Sequence, residues 1–301
     1  SGPGAPPGWE LRNGTWVPIV EPNPATPDGQ VAQMMRDLQA NQTKKVIKDA
    51  KVWLKANKTH PLVPQVLLLR GDAEVMRGTK YRALYSYEDL LNNFPNSELY
   101  TLALEREYDC ADAFLKGYKR KFLGIHMLPV KDDAIEILDR IQDRKRGSPL
   151  AERAGLRLAD YYYDRGSFVE AVDAYTDFLK RYPYSQYVRK AEIRRAEASL
   201  GNFHGVTFDN TPLIDGRERL TVIEDAYPQT AEQLQVKALQ DRIYQLEGKK
   251  DLEIARYYYR ANRHYASAWY YKRVIANWPG TQMAQEAKAE LARRMPDKAG
   301  K

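Results

Sequence analysis

The sequence predicts an all-α protein, a right-handed solenoid of about five to six stacked helix pairs behind a short N-terminal β-hairpin. Three observations carry this reading. Apolar segments repeatedly close on a ring-bearing residue followed by proline, at His60-Pro61, Phe94-Pro95, Tyr182-Pro183, Tyr227-Pro228 and Trp278-Pro279. Two proline spacings, Pro61 to Pro95 and Pro149 to Pro183, are both 34 residues. Similar residue types also recur ahead of two of these prolines: Leu67, Gly71, Ala83 and Tyr87 before Pro95, and Leu158, Ala159, Tyr162, Ala171 and Tyr175 before Pro183.

A 34-residue period closed by proline is that of the tetratricopeptide (TPR) repeat, a helix–turn–helix unit that buries its faces by stacking on its neighbours. The remaining intervals, 54, 45 and 51 residues, exceed that period and imply three insertions. Within 151–183, small Ala at the helix crossing permits close approach while Tyr fills the groove beside it. Gly166 is expected in the turn, where a residue free to take positive φ closes the first helix.

The elements follow in order. Residues 1–8 are a Pro/Gly linker. In 10–17, Asn13-Gly14 sits between strand-like flanks, the signal of a two-residue hairpin turn. Thr26 is the expected N-cap of the first helix and Pro27 its first residue. Helices are expected at 28–40, 43–56, 62–77, 80–92, 97–117, 131–144, 150–164, 168–180, 186–200 and 213–225. A long helix follows near 230–261, then helices at 264–277 and 281–294. Everything after residue 28 reads as helix. The chain divides into a linker with hairpin (1–27), N-terminal repeats (28–149) and C-terminal repeats (150–301).

Composition narrows the function classes. Lys plus Arg number 47 against 40 Asp plus Glu, a net charge of +7 spread along the chain, which does not demand a nucleic-acid partner. The lone Cys110 excludes internal disulfides and multi-cysteine metal sites, and is expected as a buried thiol on a helix. His60, His126, His204 and His264 show no ligand spacing, so no metal or cofactor site is read. No apolar run approaches the roughly 20 residues of a membrane span. There is no Gly-rich phosphate loop, Gly-x-Ser-x-Gly or His-Glu-x-x-His, and no catalytic residue is assigned. The carboxylate pairs Asp132-Asp133 and Glu105/Glu107 are expected on solvated helix faces.

The insertion after Leu200-Gly201, "NFHGVTFDNTPLIDGRERLTVIEDAYPQT", combines a Phe203-x-Gly205-Val206 turn, an Asp-bearing loop and a helix begun by proline. With "LADYYYDRGSFVEA" (158–171) and "IARYYYRANRHYASAWYYKRVIANWPGTQ" (254–282), it resembles the BamD family of TPR lipoproteins of the outer-membrane β-barrel assembly machine. The resemblance spans roughly 150–290. It implies a non-catalytic scaffold on the periplasmic face of the outer membrane, held there by a lipid anchor on a cysteine expected ahead of Ser1. The implied partners are the periplasmic domains of the barrel-forming subunit and unfolded outer-membrane protein segments. Relative to the family's five, two repeats are added before the matching block, and the last is reduced to one helix. A TPR adaptor outside this machinery, for cell division, pilus assembly or chaperone work, is the alternative.

Four residues are candidates for partner binding. Tyr163 and Arg165 flank Tyr162, which is expected to face the core. Lys272 and Arg273 lie on the second helix of the last complete repeat, matching by resemblance the part of BamD that meets the barrel subunit. An arginine fork suits a carboxylate there, and Lys45 is a remote charge for comparison. Finally, Lys116-Gly117-Tyr118-Lys119-Arg120-Lys121 followed by "FLGIHMLP" places cations beside apolar residues, suited to anionic headgroups, a partner helix or the array's own groove.

Overall fold

The computed structural model describes residues 8–12, 15–19, 22–122, 125–129, 131–202 and 211–295, and divides into two compact units, Ser1–Ala154 and Gly155–Lys301. Fourteen helices and two antiparallel two-stranded sheets are found among the described residues, a TPR-type helical repeat fold.

Unit 1 opens with strands β1 (Trp9–Arg12) and β2 (Thr15–Pro18). Their register pairs Arg12 with Thr15, and the expected turn residues Asn13-Gly14 lie outside the described residues. Trp9 and Trp16 are both buried. Trp9 Nε1 donates to Asp28 at 3.0 Å, and the Trp16 amide donates to the buried Gln65 side chain. Helix α1 (Pro27–Gln39) begins as expected, with the Thr26 hydroxyl accepting from the Gly29 amide and proline at the first position. Helices α2 (Thr43–Ala56), α3 (Val63–Met76), α4 (Lys80–Asn93), α5 (Tyr100–Leu115) and α6 (Lys131–Arg144) follow.

Between α5 and α6 the chain forms a second hairpin, β3 (Lys119–Phe122) with β4 (Ile125–Pro129), paired Arg120 to Leu128 and Phe122 to Ile125. This corrects the all-helical expectation after residue 28. Gly117, at φ 101°, ends α5 in a conformation that helix cannot continue.

Helix α7 (Pro149–Asp164) carries the boundary between the units. Unit 2 continues through α8 (Phe168–Arg181), α9 (Val188–Gly201), α10 (Thr211–Ala226), α11 (Pro228–Gln233), α12 (Val236–Arg260), α13 (His264–Asn277) and α14 (Gln282–Arg294). Phe203 to Val206 lie outside the described residues. The expected long helix at 230–261 is broken, because Gln235 takes φ 51° and separates α11 from α12.

Two recurrent devices explain the helix pairing. Residues in left-handed backbone sit between paired helices at Asn41, Gly78, Gly166 and Asn262, the two residue types that tolerate this region best. At the far ends of α4, α8, α10 and α13 the residue before proline is pushed out of the α region by the ring that follows. Phe94, Tyr182, Tyr227 and Trp278 all sit near φ −124 to −139° and ψ 50 to 62°. The ring-Pro terminators legible in the sequence are therefore a backbone device as well as a packing one.

The core positions come out largely as expected: Leu67, Ala83, Tyr87, Leu158, Ala159, Ala171 and Tyr175 are buried. Gly71 is needed because a Cβ there would lie 2.2 Å from the Tyr87 ring. Of the first tyrosine cluster the buried member is Tyr161, not the expected Tyr162, which is half-exposed. Cys110 is buried, and burial pushes its thiol up to about 12, away from reactivity at neutral pH.

Glu107 also departs from expectation. It is wholly buried among α4, α5 and α6 rather than solvated, 3.5 Å from Arg144 and facing Glu88. A carboxyl at that depth is tolerated because Arg140 and Arg144 both bind its neighbour Glu88, each at 2.9 Å. Lys45, the remote comparison charge, is itself engaged, 2.8 Å from the buried Asp37.

Candidate partner-binding surface

The surface is built on α12 and α13. In α13, Ala268, Tyr271 and Val274 point into the core with Leu252 and Ala255 of α12. Helical spacing then turns Tyr265 and Trp269, four residues apart, outward, and they are 79% and 51% exposed. Tyr257 of α12 is 60% exposed beside them.

These rings are ordered by one another. Tyr257 meets Tyr258 edge-on at 5.6 Å, Tyr258 stacks on Tyr270 at 5.5 Å, and Tyr270 meets Trp269 edge-on at 4.9 Å. The Arg273 guanidinium closes the row, 5.0 Å from the Trp269 ring centre and 4.7 Å from that of Tyr270. Its Nε and Nη2 both bind the carboxylate of the buried Asp251, and those hydrogen bonds hold its pKa above the usual arginine value. Arg273 is thus a fixed strut between a buried acid and an exposed aromatic row. Lys272, next in the helix, is half-exposed.

The other two candidates share the last turn of α7 and its exit. Tyr163 is half-buried, donates to Glu197 at 2.8 Å and lies under the Arg194 guanidinium at 4.4 Å. Burial first, then the Glu197 hydrogen bond, raises its phenol pKa. Arg165 is exposed and lies 5.5 Å over the Tyr161 ring. The two candidate pairs therefore sit on different repeats, one on α7 and one on α13.

Sequence reasoning named the basic residues of α13 but not Tyr265 and Trp269 beside them. A signal was present: no Asp or Glu occurs between Glu253 and Glu286, a stretch that holds five Lys or Arg residues. The acids that border it are already used internally, Asp251 by Arg273 and Glu253 and Glu286 by Arg256. The face is therefore aromatic and net positive. Between α12 and α14 a cleft of about 440 Å³ is lined by both charges, among them Lys249, Glu253, Arg256 and Glu286, with Leu252 and Met283. Among the described residues no group of three or more His, Cys, Asp and Glu is placed to hold a metal ion, and no helix is long and apolar enough to cross a membrane.

Two family models match the chain. A TPR family model matches residues 65–97, covering α3 and α4. No curated protein matches the chain. Among solved structures, the C-terminal part of a TPR repeat-containing protein from Cytophaga hutchinsonii is similar over 87% of each chain, at 16% identity and a TM-score of 0.40. A second family model, YfiO, described as outer membrane lipoprotein, matches residues 131–295, from α6 through α14, and more than half of the chain. This protein belongs to the YfiO, or BamD, family of outer membrane lipoproteins.

Proposed function

We propose that the chain is a non-catalytic TPR scaffold of the outer-membrane β-barrel assembly machinery, lipid-anchored at the periplasmic face of the outer membrane. Its α12–α13 face docks the periplasmic domains of the barrel-forming subunit. The repeats before it, with Tyr163 and Arg165 at the exit of α7, take extended segments of unfolded outer-membrane proteins. The reading is carried by one observation: the family-matched region 131–295 contains an exposed, ring-ordered, carboxylate-free face. Exposed Trp and Tyr beside cations supply the large, rigid, amphipathic contacts that dominate interface energetics. Because Arg273 is held by Asp251, partner carboxylates meet Lys272 first, while Arg273 fixes the rings against which the partner packs.

Capture of the purified periplasmic domains by the full chain tests this. Trp269→Ala and Lys272→Glu are expected to weaken binding about tenfold or more, whereas Lys44→Glu leaves it unchanged. Lys44 is exposed on α2 and makes a better reference than the engaged Lys45. Binding that is unchanged by Trp269→Ala rejects the docking assignment. Absence of any binding leaves the adaptor role outside this machinery as the better reading.

A further inference from the structure

At one end of unit 1 two segments meet that carry cations and no carboxylate in their sequence. Residues 75–87 hold Arg77, Lys80 and Arg82 and no Asp or Glu. Residues 113–130 hold Lys116, Lys119, Arg120 and Lys121 and again no acid. The structure joins these segments. Tyr118 Oη donates to the Gly78 carbonyl at 2.8 Å, and the Phe114 ring lies 5.2 Å from Tyr118 and 6.5 Å from Tyr81.

Around the joint Met76 is 51% and Tyr85 61% exposed, with Arg77 and Arg82 exposed as well. Of the bordering acids, Glu74 is buried and accepts from the Thr79 hydroxyl, Asp112 pairs with Lys116 at 2.6 Å and Glu88 is held by Arg140 and Arg144, while Asp133 and Glu136 of α6 line a pocket with Tyr81 and Tyr85. From this joint springs the β3–β4 hairpin, whose register sets a strand containing Lys119, Arg120 and Lys121 against one containing Ile125, Met127 and Leu128.

We infer that this end of unit 1 is a docking face for a bilayer bearing anionic headgroups. Charge alone suits any polyanion, but the interleaving of cations with exposed Met and Tyr is the composition of an interfacial surface. There the rings and thioether enter the headgroup boundary and the long cationic chains reach the phosphates. A two-stranded hairpin is marginally stable alone in water, and a covering surface stabilises it. The face precedes the family-matched residues 131–295. It does not depend on the docking of any protein partner.

Sedimentation of the full chain with vesicles tests the inference directly. Vesicles of phosphatidylcholine alone are compared with phosphatidylcholine mixed with phosphatidylglycerol, at low and high salt. Binding is expected to the mixed vesicles, to weaken with salt, and to be absent with phosphatidylcholine alone. Each neutralised cation should cost about fivefold, so Arg77→Gln with Arg82→Gln loses roughly twenty-five-fold. Lys119→Gln, Arg120→Gln and Lys121→Gln together lose more, while Arg77→Lys with Arg82→Lys and the remote Lys44→Gln bind as the parent does. Equal binding to both vesicle types, or undiminished binding by the Arg77→Gln/Arg82→Gln protein, overturns the inference. So does tight binding of polyglutamate or duplex DNA with none to the mixed vesicles, which reassigns the face to a macromolecular polyanion.

Discussion

Arg256 of α12 grips Glu290 of α14, 34 residues along the chain, with its Nη2 2.7 Å from the carboxylate. The same separation joins Asp72 of α3 to Arg106 of α5 at 3.0 Å, with the charges exchanged. In both repeats the buried tyrosine of the intervening helix donates to whichever partner is the acid. Tyr87 bonds Asp72 at 2.8 Å and Tyr271 bonds Glu290 at 2.7 Å. Tyr175 and Asp160 form the same pair at 2.7 Å. The repeats thus keep a tyrosine–acid–base triad while moving its acid from one helix to the next.

The triad predicts coupled energetics. Arg256→Asp and Glu290→Arg singly should each cost about 1–3 kcal/mol, since each leaves a partly buried charge facing its like. Together they restore the arrangement seen at Asp72 and Arg106, and should recover part of the loss. Recovery is incomplete because Arg256 also binds Glu253 and Glu286. A double-mutant cycle in denaturant unfolding measures this, and simple additivity of the two losses would contradict the exchanged-pair account.

Gly71→Ala is expected to destabilise unit 1 by about 1–3 kcal/mol, the usual range for overpacking a fixed core. The added methyl would enter the Tyr87 ring, which is fully buried and held by Asp72. The equivalent position in the repeat closed by Pro183 is Ala159, whose methyl is already accommodated. Thermal unfolding reports the difference, and an unchanged midpoint would mean that α3 and α4 separate without cost.

Glu107 gives the fold a pH dependence of defined sign. Burial first, then the neighbouring Glu88 carboxylate, push it from the ordinary 4.5 to about 8. Burial opposes ionisation of Glu88 too, but hydrogen bonding and charge from Arg144, then Arg140, outweigh it and hold that group below its usual range. Between roughly pH 4.5 and 8 the folded chain keeps a proton on Glu107 that the unfolded chain has released, so this group's contribution falls as pH rises. The slope is at most about 1.4 kcal/mol per pH unit for one proton. Glu107→Gln should flatten it, and urea midpoints of parent and variant at pH 5 and pH 8 should diverge at the higher pH. Parallel midpoints would show that the carboxyl ionises in place.

Arg273→Ala is expected to lower the stability of the last repeats by about 2–3 kcal/mol, because Asp251 is left buried without its partner. Asp251→Asn in the same chain should return much of that loss without restoring the ring row. A capture assay on the double variant therefore separates the strut's folding role from its part in presenting Trp269 and Tyr270.

Much of this organisation is legible in the sequence because it rests on local chemistry. The ring-Pro terminators act on the backbone of one residue, and Thr26, Pro27 and Gly166 act within a single turn. Helices at 43–56, 131–144 and 264–277 follow directly from such signals. What escapes is set by rotation about a helix or by distant partners. Tyr161 and Tyr162 differ by one step of the helical wheel, and three adjacent tyrosines blur the period that would distinguish them. Burial of Glu107 depends on arginines from α6, and the commitment of Arg273 to Asp251 depends on how α12 lies along α13. The hairpin β3–β4 follows a glycine whose φ no pattern of apolar spacing reveals.

The tryptophans of the first hairpin bear on assembly. A stack of like modules presents an open flat end to which another copy can add, and repeat proteins need that end dressed. Here Trp9 and Trp16 are buried at the N-terminal end, one bonded to Asp28 at the start of α1 and the other, through its amide, to Gln65 in α3. A neighbouring molecule would have to strip off the hairpin before it could lengthen the stack from that side, so the β1–β2 hairpin acts as a guard against fibre growth.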